Sequence, residues 1–199
     1  MMRYVPISFD WIPHKLVRIE TLGEGSCLFH AVLNAFFIPY RYETLNDKKI
    51  TKREITKQFR NKLSDLLPEH YDNLNKGTTK EFSLIDEQYK LENMQHKLKS
   101  NESLGYGYFE FLSIILNKDI YILDVVTSNL YFTNEYELSI KGNRNSIIIS
   151  YIYNPKNEDS VGHYELIGRL DENEIITHFS FDDDLIKLLN FRHNSAITK

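Results

Sequence analysis

The sequence predicts an α+β domain in which helices pack around a central twisted, mostly antiparallel sheet. Two changes of pattern lead there. Between residues 28 and 116 the apolar side chains recur at helical spacing, and after residue 119 they gather in short β-branched and aromatic runs broken by polar turns. No internal repeat or low-complexity linker divides the 199 residues, a length that suits one domain with a sizeable core. Residues 1–191 read as that single domain, and 192–199 as a frayed C-terminal tail.

Alternation from Lys15 to Leu22 marks a strand running into the turn Gly23-Glu24-Gly25-Ser26. Leu28 to Phe37 is an apolar helical run with Cys27 at its start, and Pro39 ends it. Ile55, Phe59, Leu63 and Leu66 place an amphipathic helix over Thr51 to Leu67, closed by Pro68. Lys48, Lys49, Lys52, Arg53, Lys57, Arg60 and Lys62 read as its solvated basic face rather than as a partner surface. Leu84, Leu91, Met94 and Leu98 mark a second amphipathic helix, and Phe109, Leu112, Ile115 and Leu116 a third. Ile120 to Val126 and Leu130 to Thr133 read as neighbouring strands joined by a polar turn. Ser146 to Tyr153 is almost entirely apolar, β-branched or aromatic, as a central strand should be. The loop from Asn154 to Val161 brings the chain back, antiparallel, into a strand that starts at His163. Asp182 to Leu189 suits a last helix with acids in its first turn.

Composition narrows the function. Aromatic residues make up 13% of the chain, which argues against disorder. The single cysteine allows no intrachain disulfide and points to a reducing compartment, the cytoplasm. The first ten residues carry no signal-type apolar run, and no stretch is apolar for long enough to span a bilayer, so no membrane partner is expected. A net charge of −4 gives no support for a nucleic-acid partner. Seven histidines show no H-E-x-x-H pairing, and one cysteine is too few for a Cys/His zinc site. The Gly23/Gly25 pair is too short for a dinucleotide fingerprint, and no phosphate loop is present. No metal or other cofactor is expected, and the chain is expected to be a monomer.

What remains is Cys27. By itself a lone cysteine is more often a small buried hydrophobe than a nucleophile. This one follows a glycine-bracketed turn and opens a helix, where the helix dipole favours thiolate and turned backbone N–H groups can form an oxyanion hole. A second site supports it. In Gly162-His163-Tyr164-Glu165-Leu166-Ile167-Gly168 the residues two apart share a strand face, with Cα atoms about 6.6–7 Å apart. Glu165 can therefore orient the His163 imidazole, while Tyr164 and Leu166 face the core. A thiol, an imidazole and a carboxylate make a thiol-hydrolase set. His30 lies one turn after Cys27 but has no carboxylate at strand spacing, which makes His163 the better base.

The segment Gly23-Glu24-Gly25-Ser26-Cys27-Leu28-Phe29-His30-Ala31 resembles the cysteine motif of the ovarian tumour (OTU) cysteine proteases. That motif is D-G-N-C followed by Leu or Phe, Phe or Tyr, Arg or His, and Ala. His163-Tyr164-Glu165 resembles their C-terminal motif of His, an aromatic residue and Asn, Asp or Glu. The resemblance runs from about Lys15 to Gly168 in the family's order, with a flavour of the OTU-like proteins of large DNA viruses or intracellular microbes. Glu24 and Ser26 depart from the family's Asp and Asn. The resemblance implies a papain-like OTU fold, with the Cys27 helix against the sheet that carries His163. It also implies deubiquitination, in which Cys27 is the nucleophile, His163 the base, Glu165 the orienting acid, and Glu24, Gly25 and Ser26 the oxyanion-hole loop. The implied partners are ubiquitin, polyubiquitin or ubiquitin-like modifiers. Ubiquitin's tail carries two arginines before its glycines, so acidic residues near the cleft would help. A viral or secreted protein of this kind would act in the host cytosol. The two departures also leave room for a catalytically weak module that binds ubiquitin-like or host proteins.

Overall fold

The computed structural model describes residues 3–23, 25–154, 156, 162–172 and 174–197. Strands β1 (Tyr4–Phe9) and β2 (Ile12–Ile19) form an opening hairpin. Helix α1 (Cys27–Phe36) follows, then the short α2 (Ile38–Tyr42) and a small hairpin of β3 (Thr44–Leu45) and β4 (Lys48–Lys49). The long α3 (Lys52–His70) precedes α4 (Thr78–Phe82), α5 (Leu91–Lys99) and α6 (Phe109–Leu116). The C-terminal part holds β5 (Asp119–Asp124), β6 (Asn129–Leu130), α7 (Asn134–Ser139), β7 (Ser146–Ile152), β8 (His163–Asp171), β9 (Glu174–Ile176) and α8 (Asp184–Ile197).

The main sheet has the order β1-β2-β8-β7-β5-β6, with β9 paired to β8. Its pairs are antiparallel except β5 with β7. Side chains alternate across it as strand geometry demands. Ile147, Ile149, Ile120, Ile122, Tyr164 and Leu166 join the core under α1, α3, α5 and α6. Ile148, Tyr121, Leu123 and Ile167 face the opposite way, onto Leu185, Ile186 and Leu189 of α8. Because both faces are covered, β5 and β7 read as continuous apolar runs. Helix α1 is buried at every position from Cys27 to Ala35 between this sheet and α3, which explains its all-round apolar character. As expected, the sheet is central and mostly antiparallel, β7 lies in its middle, and β8 runs back antiparallel to it.

Several boundaries differ from the sequence reading, each for a local reason. Pro68 does not close α3, which continues to His70. A proline has no N–H for the carbonyl four residues back, and here the Ser64 carbonyl accepts the Gln95 side-chain amide instead, at 2.9 Å. Leu84 lies outside the second amphipathic helix and is 86% exposed, because Lys90 is extended and α5 begins only at Leu91. Thr133 is not part of β6; its hydroxyl caps α7 by accepting from Tyr136 N–H. Finally, 192–197 is helix rather than a frayed tail. His193, 3% exposed, packs between the rings of Phe132 and Tyr136 and holds the end of α8 to the domain.

Candidate active site

The thiol loop is shaped by one backbone demand. Gly25 has φ +75°, and a Cβ there would sit 1.9 Å from the Asn101 carbonyl oxygen. Only glycine meets both conditions. Ser26 occupies the N-cap position of α1, and Cys27 is the first helical residue. The Cys27 N–H therefore has no intrahelical carbonyl and lies at the positive end of the helix. Glu24, the remaining member of the loop, lies outside the described residues.

Strand β8 brings the second half of the site. The Tyr164 backbone N–H donates to Cys27 Sγ at 3.4 Å and sets the thiol close enough to His163 for the imidazole to lower its pKa. His163 Nε2 lies 3.4 Å from Glu165 Oε1 and 3.4 Å from Thr21 Oγ1. Thr21 has one hydroxyl proton, and it goes to the Tyr164 carbonyl at 2.7 Å. Toward His163 the hydroxyl can then only accept, as an ionised Glu165 can only accept. Both neighbours call for the proton on Nε2, which leaves Nδ1 as the ring nitrogen available to the thiol. The other Glu165 oxygen, Oε2, lies 2.7 Å from Arg18 Nε on β2. That contact is an ion pair without hydrogen-bond alignment, since Oε2 is buried and has no hydrogen-bond partner among the described residues.

The electrostatics favour a charged pair. Burial pushes the Cys27 thiol up, but the hydrogen bond and charge of His163, together with the backbone N–H groups of Tyr164 and Leu28, bring it below its ordinary value. His163 is pushed up to about 9 by its hydrogen bonds to Cys27 and then to Glu165, against the opposing effect of burial. Both shifts lean toward thiolate beside imidazolium. Such a site can attack a carbonyl carbon, hold the oxyanion on loop N–H groups and protonate a leaving amine.

The structure thus brings together Cys27, His163 and Glu165, and sets Gly25 and Ser26 beside the thiol. His30 is elsewhere. It is 2% exposed, and its Nδ1 meets Tyr40 Oη at 2.8 Å and Thr56 Oγ1 at 3.1 Å, within a buried polar group. Ser26 makes no side-chain cap bond to α1; its hydroxyl accepts from Arg60 at 2.8 Å. Arg60 is therefore not part of the solvated basic face. It is 1% exposed and points inward beneath the thiol loop. A helical signal for this existed: Arg60 falls four residues after Thr56 and four before Ser64, on the stripe that also carries Leu63 and Leu67, all of them buried. Thr21 and Arg18 were missed as well. Nothing local marks them, because their partners lie more than 140 residues away on β8.

The sequence matches no protein-family model and no curated protein. Among solved structures the chain is similar to an ovarian tumour (OTU) domain determined in complex with ubiquitin, with a TM-score of 0.50 and 17% sequence identity over 92% of this chain and 85% of that one. At this identity the likeness speaks for architecture, and the mixed helix-and-sheet arrangement built on α1 and β8 is an OTU-like fold.

Proposed function

We propose that the chain is a cysteine-dependent deubiquitinase of the OTU type, which hydrolyses the peptide or isopeptide bond after the C-terminal Gly-Gly of ubiquitin or a ubiquitin-like protein. The observation that carries this reading is the meeting of Cys27 with His163, itself backed by Glu165, on an OTU-like fold. The OTU domain similar in structure was determined with ubiquitin bound, which supports ubiquitin or polyubiquitin as the partner.

In this reaction the Cys27 thiolate adds to the glycine carbonyl carbon, and the carbonyl electrons move onto oxygen. N–H groups of Cys27 and the loop before it stabilise that oxyanion. His163, already protonated, gives its proton to the departing lysine amine as the C–N bond breaks. Water then attacks the thioester, His163 takes its proton, and the thiolate leaves. Glu165 keeps the imidazole turned so that Nδ1 serves the reaction. A reducing cytosol suits a mechanism that depends on a free thiol, and nothing in the chemistry requires more than one copy of the chain.

A ubiquitin derivative with an electrophilic C-terminus tests the proposal. Wild-type protein should be labelled once, at Cys27. Cys27→Ala should not be labelled, and its hydrolysis of a fluorogenic ubiquitin amide should fall on the order of 10³-fold or more. Folded wild-type protein that resists labelling would instead favour the ubiquitin-binding module without turnover.

A further inference from the structure

A whole guanidinium is buried beneath the thiol loop. Arg60 lies on α3, and its side chain is 1% exposed. It donates from Nε to Leu98 O at 2.8 Å, and from Nη2 to Lys97 O at 2.7 Å and Glu102 O at 2.9 Å. Nη1 donates to Ser26 Oγ at 2.8 Å and to Gly25 O at 3.4 Å. The Phe29 ring covers it, with Cζ 4.6 Å from the ring centroid. All five acceptors are neutral. Burying a cation costs several kcal/mol before hydrogen bonds offset it; the nearby charges of Glu102 and Cys27 offset part of that cost, and a leucine would fill a core position of α3 without it. The acceptors belong to three separate pieces: the end of α5, the loop at Glu102 and the thiol loop. The guanidinium joins them, at the place where the Gly25 α-carbon touches the Asn101 carbonyl.

The Gly25–Ser26 peptide shows what this achieves. A trans peptide is planar, so its C=O and the following N–H point in opposite directions. Arg60 draws the Gly25 carbonyl inward, and the Ser26 N–H is therefore turned away from Arg60. We propose that Arg60 is a positioning residue for the oxyanion hole: its guanidinium holds the Gly25–Ser26 peptide so that the Ser26 N–H faces the oxygen of an acyl group attacked by Cys27. Rotation of that peptide would put a carbonyl where the developing negative charge needs a donor. The inference rests on Cys27 being the nucleophile, and it does not require ubiquitin as the substrate.

Two small electrophiles separate this role from a general structural one. With p-nitrophenyl acetate, the Cys27 sulfur adds to the ester carbon, the carbonyl oxygen carries the charge, and p-nitrophenolate leaves as the C–O bond breaks. With iodoacetamide, the C–S bond forms as iodide departs and no oxyanion arises. Arg60→Lys keeps the charge but loses the planar fork. In folded protein it should acetylate at least about tenfold more slowly, while alkylation stays within about threefold of wild type. Should Arg60→Lys fail to fold, Ser26→Ala removes the 2.8 Å contact alone and should lower acetylation selectively by about threefold or more. Equal slowing of both reactions, no slowing of either, or a wild-type thiol that alkylates but does not acetylate would each overturn the proposal. A wild type that acetylates yet turns over no ubiquitin conjugate would overturn the deubiquitinase reading and leave the Arg60 assignment to the ratio of the two rates.

Discussion

The backbone N–H of Tyr164 donates to the sulfur of Cys27 at 3.4 Å, so the residue after the proposed base also touches the proposed nucleophile. Three consecutive residues of β8 thus serve one site. His163 offers its ring, Tyr164 its N–H, and Glu165 its carboxylate. The strand fixes their relative placement, and the flanking strands β2 and β7 fix the strand.

Activity should have a bell-shaped dependence on pH. The working form is thiolate with imidazolium, and the two limbs belong to the pair. On the acid side the thiolate is protonated and the rate falls, at a pH below the ordinary thiol value because Cys27 is shifted down. On the alkaline side the imidazolium loses its proton near pH 9, and the leaving amine loses its acid. Stability follows the same groups. His163 is raised in the fold, so its contribution is complete below about 6.5 and is lost as the pH climbs through about 9. Cys27 is lowered, so its contribution is present above the ordinary thiol value and is lost as pH falls through the lowered one. A profile of kcat/KM against pH, read beside thermal melts, checks both.

Glu165 is expected to matter through His163. Glu165→Ala should lower kcat by roughly 10- to 10⁴-fold, and Glu165→Gln by less, since an amide oxygen can still accept from Nε2. Either change should move the alkaline limb downward, because the carboxylate is one of the two hydrogen bonds that raise His163. Glu24→Ala, measured on the same substrate, is expected to be the milder lesion. The opposite ranking in folded proteins would make Glu24 the third residue of the site.

Replacing His163 and His30 should give different kinds of loss. His163→Ala should be nearly as damaging to hydrolysis as Cys27→Ala, and the double variant no worse than either, since nucleophile and base act as a unit. His30→Ala removes a partner of Tyr40 and Thr56 from a buried polar group and should cost about 1–3 kcal/mol of stability. Its pH–rate profile below the melting transition should match wild type. Denaturant titration and steady-state kinetics on the same samples separate the two effects.

Gly25→Ala probes the loop itself. The added methyl would lie 1.9 Å from the Asn101 oxygen at a φ of +75°, so the turn must move. A loss of about 1–3 kcal/mol is expected from the backbone conformation alone, with a fall in kcat that exceeds any change in KM. Wild-type kcat from this variant would mean that the loop has no part in the chemistry.

The legible parts of the site were those written in short stretches of chain. Of the two glycines before Cys27 it is Gly25 that takes a positive φ, and the alternation from His163 to Leu166 carries its geometry within a few residues and was read correctly from sequence. So were the apolar run that became β7 and the pattern of α6. Arg60 was misplaced because a charge beside Lys57 and Lys62 reads as solvated, while the acceptors that bury it are brought in from α5 and the thiol loop. Thr21 and Arg18 became visible only when β2 paired with β8. Leu84 shows the reverse error: its spacing to Leu91 fits a helix by coincidence, and the chain breaks the helix between them.

The distance along the chain between the two halves of the site has a consequence for biosynthesis. Cys27 and Tyr164 are 137 residues apart. A ribosome making the chain exposes the thiol long before it has made the imidazole, by about ten seconds at ordinary elongation rates. Until β8 inserts between β2 and β7, the sulfur lacks both the cation and the N–H that lower its pKa. The nascent thiol therefore has only ordinary reactivity, and its lowered pKa arises only once the main sheet has closed.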